Sequence, residues 1–264
     1  MTEPVWTYTA LCSAAFVAGA MNSIAGGGTL LTFPSLMFAL APFGVRAGAI
    51  ANATSTVALL PGSLAGAWGY KRELVVARSF ALAMLAPSLI GGAIGAWLLI
   101  AYQQQFQSLV PWLVLSAATL FLIQQPLLKW MKKEVSDPMP KPGPSRLIFL
   151  LTFQFLVAVY GGYFGAGIGI LMLTALGFMG VGDIHRMNAV KTFLASAINL
   201  VSVAQFVAEP GMVVWKYALP MVVSAITGGY VGARVARKLP SEYVRWAVVL
   251  IGFGLAVYCF VTRY

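Results

Sequence analysis

Carboxylates are scarce in this sequence: seven aspartates and glutamates in 264 residues, against seventeen lysines and arginines. All seven, Glu3, Glu73, Glu134, Asp137, Asp183, Glu209 and Glu242, fall between or at the ends of long uncharged runs. That placement argues against a buried relay of acids and against a carboxylate-lined cation path. Histidine occurs once, at His185, and cysteine twice, at Cys12 and Cys259, both inside apolar stretches. So few ligands, at no metal-binding spacing, give neither a metal site nor a disulfide framework, and no cofactor is expected. Walker A, His-Glu-x-x-His and Gly-x-Ser-x-Gly signatures are missing too. The chain therefore supplies no energy from nucleotide hydrolysis, and no catalytic residue is assigned. The first residues, Met-Thr-Glu-Pro-Val-Trp, carry an acid and no basic stretch, so no cleavable signal peptide is expected.

What is abundant is apolar surface. The chain is 60% hydrophobic and 9% charged, with a mean hydropathy of +0.85, whereas a soluble domain carries roughly 25% charged residues. Uncharged runs cover 4–45, 47–70, 79–128, 147–182, 192–208, 217–233 and 246–262. A spanning helix needs about 20 apolar residues, so several runs hold two segments. The expected class is an all-α polytopic membrane protein of roughly eight to ten membrane segments, with the lipid bilayer as its surroundings. The net charge of +10 sits in short loops. It reads as a topology signal rather than a nucleic-acid surface. A homo-oligomer is compatible with the sequence.

Helices are expected near 6–24, 28–42, 47–69, 75–100, 106–128, 146–163, 167–181, 187–208, 213–236 and 243–262. Those at 28–42 and 167–181 are short for a crossing, and both a tilted crossing and a re-entrant half-helix remain open. Each follows a glycine cluster, Gly26-Gly-Gly28 or Gly165-Ala-Gly-Ile-Gly169. Glycine there frees backbone groups, which hydrocarbon tolerates only beside protein or a water-filled cavity. Broken helices of this kind hold substrate in transporters.

The polar, proline-rich stretch 129–146 divides the chain into a first transmembrane repeat, 1–128, and a second, 147–264. Gly91-Gly-Ala-Ile-Gly-Ala96 recurs as Gly228-Gly-Tyr-Val-Gly-Ala233, and Asn52-Ala-Thr-Ser-Thr56 is answered by Asn188-Ala-Val-Lys-Thr192. Lys71, Arg72 and Arg78 crowd a loop whose second-half counterpart, near Glu209 and Lys216, is nearly neutral. The next pair reverses: Gln103-Gln-Gln105 is uncharged, and its counterpart carries Arg234, Arg237, Lys238 and Arg245. A basic bias that alternates in this way predicts inverted repeats, with linker 129–146 cytoplasmic and both termini periplasmic.

Candidate site residues follow from the breaks and from polar groups inside apolar runs. Asn22, Gly26, Gly27, Gly28 and Thr29 mark the first break; Gly165, Gly167 and Gly169 mark the second. Asn52 and Asn188 occupy matching places and are expected to converge on one centre, with Ser55, Lys191 and Thr192 beside them. Asn199 reads as helix packing. Lys191 lies three residues after Asn188 and shares its helix face. Its rival role is to snorkel to the interface. With no acid nearby, the amides, hydroxyls, half-helix N-termini and Lys191 form a lining that favours a small anionic substrate. The glycines of 91–95 and 228–232 have the spacing of close helix packing, and Pro34, Pro61, Pro87 and Pro220 that of kinks. Trp6, Trp68, Trp112 and Trp215 fit interfacial anchors.

Asn22 to Pro34, Asn52 to Leu74, Tyr160 to Gly169 and Asp183-Ile-His-Arg-Met-Asn-Ala-Val-Lys191 together resemble the TauE/SafE sulfite-exporter family over essentially the whole chain. The resemblance implies a duplicated carrier in the bacterial inner membrane that handles sulfite or organosulfonate-type anions, commonly as an exporter. Alternating access by a secondary transporter is the expected mechanism, and a weak-acid substrate can cross with its own proton. The rivals are an anion channel and an intramembrane enzyme using Asp183 and His185, residues that also fit a helix start.

The orientation predicts that cysteines introduced at Gln104 and Glu209 react with an impermeant thiol reagent applied to intact cells, while one at Ser136 stays unlabelled. Labelling at Ser136 from outside removes the basis for inverted halves.

Overall fold

The computed structural model describes residues 5–24, 27–131, 143–178, 184–235 and 241–261, which form helices and the short turns between them. The helices are α1 (Val5–Ile24), α2 (Thr29–Ala39), α3 (Ala47–Gly69), α4 (Lys71–Val76), α5 (Arg78–Ala101), α6 (Gln103–Met131), α7 (Pro144–Tyr163), α8 (Ile168–Phe178), α9 (Ile184–Ala208), α10 (Trp215–Val235) and α11 (Ser241–Val261). A 3₁₀ turn, Ala41–Arg46, joins α2 to α3. No strand occurs among the described residues, and the protein is all-α. By length and composition, Arg78–Ala101, Gln103–Gln124 and His185–Ala208 are apolar enough to cross a membrane. Helices α1, α7, α10 and α11, of 20 or 21 residues, and α3, of 23, are long enough to span as well.

Local chemistry sets the boundaries. Helices α2 and α8 have 11 residues each, about 16 Å of rise, or half the hydrocarbon core. Both are preceded by glycines in the left-handed region, Gly27 at φ 91° and Gly165 and Gly167 at φ 80° and 81°. Such values favour glycine, so the chain turns there where other residues would continue the helix. Pro144 opens α7 at its first turn, where a missing N–H is harmless. Helix α4 differs from the expectation of a loop over 70–74 followed by a helix from 75. Its single turn follows Trp68, whose ring lies 4.8 Å from the Lys71 ammonium.

The packing has a simple order when α1, α2, α3, α5 and α6 are set beside α7, α8, α9, α10 and α11. Helix α1 packs on α10, and α7 packs on α5. Helix α3 packs on α10 while α9 packs on α5, and α2 meets α11 while α8 meets α6. Two further contacts pair like with like, α3 with α9 and α6 with α11, while α1, α2 and α3 pack on one another, as do α7, α8 and α9. Each half thus uses the other as its main partner.

Small residues make the closest of these crossings possible. A Cβ at Gly91 would lie 2.6 Å from the Phe155 carbonyl oxygen, and one at Gly95 would overlap that of Val159. At the crossing of α1 and α10, Gly228 faces the carbonyl of Phe16 and Gly19 that of Ala225. The glycines of 91–95 and Gly228 are therefore packing devices, as their spacing implied. Large apolar side chains point outward, among them Trp97, Trp112, Leu219 and Leu250, as a bilayer requires.

Adding bulk at a crossing forces the backbones apart. Gly95→Val and Gly228→Val are each expected to lose about 1–3 kcal/mol, read as a lower melting temperature in detergent. Gly254→Ala, with nothing within 4 Å of the new Cβ, should melt like the wild type. Equal melting of all three would contradict close helix contact.

Candidate functional site

The two helix breaks are braced differently. At the first, Asn22 near the end of α1 reaches across the turn, and its Oδ1 accepts the Gly28 N–H at 2.9 Å. That bond satisfies an amide at the start of α2 which has no partner inside the helix. The missing side chain of Gly27 leaves room for the Phe121 ring of α6, which a Cβ would overlap. At the second break, the Tyr160 hydroxyl donates to the Ala166 carbonyl at 2.8 Å. Asn52 of α3 donates through Nδ2 to the Tyr163 carbonyl at 3.1 Å. The second turn is therefore held partly from the first half.

A cleft of about 100 Å³ lies between these breaks and helices α3, α6 and α9. With about 30 Å³ for a water molecule, it has room for one small polyatomic ion or a few waters. Asn22, Gly27 and Thr29 line it from the first break, and Gly165, Gly167 and Gly169 from the second. Helix α9 adds Lys191, Thr192 and Asn199, and α3 adds Thr56 and Ser63. Phe121 and Phe164 supply apolar wall, with Phe164 set edge-on to Phe33 at 5.3 Å. Along α3 the residues from Ala47 to Leu59 are largely buried, whereas Gly62, Ser63 and Gly66 are half-buried. The cleft is thus more open toward the C-terminal end of α3.

Among the described residues, Lys191 is the one charged residue of this lining and no carboxylate joins it. Its Nζ donates to Asn188 Oδ1 at 3.0 Å, and its stem crosses the first turn of α8, where a Cβ on Gly169 would lie 3.1 Å from Lys191 Cδ. The ammonium is held beside the cleft by these two contacts. Helices α2 and α8 begin at the cleft, so their N-terminal N–H groups add positive potential there.

Of the expected site residues, Asn22, Gly27, Thr29, Gly165, Gly167, Gly169, Lys191 and Thr192 come together in the lining. Gly28 sits just behind it in the Asn22 bond, and Gly26 lies outside the described residues, as does Asp183. Ser55 is fully buried and exchanges a 2.5 Å hydrogen bond with Thr32. Asn188 serves Lys191, and Asn52 serves the Tyr163 carbonyl. The cleft therefore receives neither member of the amide pair expected at its centre, and takes Asn199 instead. Thr56, Ser63 and Asn199 were missed. Asn199 lies seven residues after Thr192 and two turns along the same helix face, a signal present in the sequence.

The family model for the sulfite exporter TauE/SafE matches residues 11–259. Among curated proteins, the chain is 30% identical over 246 residues to "Probable membrane transporter protein ORF9" of Sinorhizobium sp, covering 92% of this chain and 88% of that one. It is 28% identical over 243 residues to a "Probable membrane transporter protein" of Haemophilus influenzae, covering 90% and 88%. It is also 28% identical over 251 residues to "Probable membrane transporter protein YfcA" of Escherichia coli K12, covering 90% and 83%. No solved structure matches.

The two amides now carry different expectations. Asn52→Ala strips the Tyr163 carbonyl of a donor and should cost about 1–3 kcal/mol of stability, whereas Asn199→Ala should stay within about 0.5 kcal/mol of wild type. Thermal melts of the purified variants separate them. Indistinguishable melts would return Asn52 to a role outside the brace.

Proposed function

The chain belongs to the sulfite exporter TauE/SafE family and is a multi-pass membrane transporter; on that premise we propose that it carries a small sulfur-containing anion, of the sulfite or organosulfonate type, through the cleft between the two helix breaks. The observation that carries this reading is the lining itself: among the described residues, one lysine, two helix N-termini, amides and hydroxyls, and no acid. A cation there would meet only positive potential from its charged neighbours. An anion would receive charge-assisted hydrogen bonds from Lys191 and neutral ones from Asn22, Thr29, Thr192 and Asn199.

The proposed mechanism is secondary transport by alternating access between two inverted repeats in the bacterial inner membrane, working as an exporter. The exchange of packing partners between the halves supports it, since halves that pack chiefly on each other can reorient as units. The greater openness near Ser63 and Gly66 fits a cleft facing the side of Lys71 and Arg72, which the basic bias assigns to the cytoplasm. Uptake of substrate from that side is what export requires.

Purified protein in liposomes should take up one or more of sulfite, sulfate, thiosulfate and a short alkanesulfonate, with saturation and counterflow. Ohmic currents without counterflow would make it a channel, and no movement of any of these anions would reject the reading. The loss of a charge-assisted bond worth roughly 1.5–3 kcal/mol predicts that Lys191→Met weakens apparent affinity by about one to two orders of magnitude. Lys191→Arg should weaken it too, because a planar guanidinium does not fit the path over Gly169. Wild-type affinity in both variants would place the anion elsewhere.

A further inference from the structure

We propose that Lys191 binds a proton together with the anion, so that each anion crosses with one proton carried by the protein. This rests on the anion reading of the cleft but differs from a weak acid carrying its own proton.

The argument begins with what surrounds the lysine. An ammonium has three donors, and the structure gives Lys191 one acceptor, the neutral Asn188 Oδ1. Helices α3, α4, α5, α7 and α8 all pack on α9. Helices α3 and α8 carry no titratable residue, α5 carries Arg78, and α4 carries Lys71, Arg72 and Glu73. Helix α7 presents Tyr160, committed to the Ala166 carbonyl, and Tyr163. His185 and Arg186 precede Lys191 on α9 by six and five residues, on other faces of the helix. Arg146 at the start of α7 and Asp183 before α9 lie outside the described side chains. Among the described residues no carboxylate pairs with Lys191.

The transport cycle turns that geometry into coupling. With an anion bound, ammonium and anion neutralise each other, and the loaded cleft reorients without net charge. After release, a charged Lys191 would return through a low-dielectric site with no counter-charge, which is strongly unfavourable. A neutral amine returns readily. On the loading side the amine takes a proton from water and the ammonium pairs with the anion. On the release side the anion leaves, and the ammonium gives its proton back to water as the N–H bond breaks. No electron moves, and each turn transfers one proton and one anion. Proton and anion then raise each other's affinity by the same factor.

Ethanesulfonate, fully ionised near neutral pH, is the suitable probe because it cannot carry the proton itself. In proteoliposomes loaded with a pH dye, wild-type protein should move one proton per sulfonate, driven by a pH gradient and indifferent to a potassium diffusion potential. Uptake that follows the potential and ignores the pH gradient would overturn the proposal while leaving anion transport standing. Absence of counterflow with every anion would remove both. Lys191→Arg tests the carrier: at whatever rate remains, its protons per sulfonate should fall to near zero. In detergent, wild-type affinity for ethanesulfonate should fall up to tenfold per pH unit on the alkaline side, and the Arg variant's should stay flat. A flat wild-type profile, or proton movement preserved in Lys191→Arg, refutes the role of Lys191.

Discussion

A backbone amide or carbonyl freed in hydrocarbon must find a partner within the protein, and the two breaks, before α2 and before α8, make that requirement the organising constraint here. Asn22 meets it for Gly28, Tyr160 for Ala166 and Asn52 for Tyr163. Polar residues buried in this chain are mostly committed to such duties. Even Thr32 and Ser55, side by side between α2 and α3, satisfy each other. Asn52 Oδ1 and Gln154 Oε1 are buried without a partner away from the cleft, whereas in the cleft Thr56 and Ser63 donate to the carbonyls of Asn52 and Leu59, so the side chains of Lys191, Thr29, Thr192 and Asn199 are the ones that meet an occupant there.

The same bonds tie the halves together. Asn52 of α3 reaches the end of α7, Ser196 of α9 donates to the Ser63 carbonyl of α3, and Gln205 of α9 donates to the Ala93 carbonyl of α5. Thr54 of α3 accepts the Val214 N–H just ahead of α10. Relative movement of the halves has to conserve these bonds or break several at once. The glycine crossings, by contrast, present smooth backbone to backbone, and small-residue surfaces allow sliding at little cost in contact. The molecule thus combines a few directional ties between helices with two close crossings built on small residues.

Much of this was legible in the sequence because it depends on periodicity and composition. The helices, the two short ones after glycine clusters, the small-residue crossings and eight of the cleft residues were all visible as spacing. Side-chain direction was not. Asn52 and Asn188 match in position, yet matching position does not say whether an amide faces a cavity or a neighbouring carbonyl, and both face partners. Asn199 looked like packing because it lacked a counterpart, although its spacing from Thr192 put it on the same face. Helix α4 escaped because six residues between charged and apolar sequence carry too little periodic signal to separate a turn of helix from a loop.

The scarcity of acids and the geometry of Lys191 belong to one argument. A lone cation inside a membrane protein needs compensation, ordinarily a carboxylate on a neighbouring helix. Here Asn188 offers only a dipole, while the N-termini of α2 and α8 bring further positive potential to the same space. Adding an acid would settle the lysine permanently and remove the reason for an anion to enter. With no acid in the lining, the favourable interaction stays unmade until a ligand brings the negative charge, so the site's electrostatics are complete only when it is occupied. On the proposed anion reading, selectivity follows from the missing carboxylate as directly as from the lysine that is present.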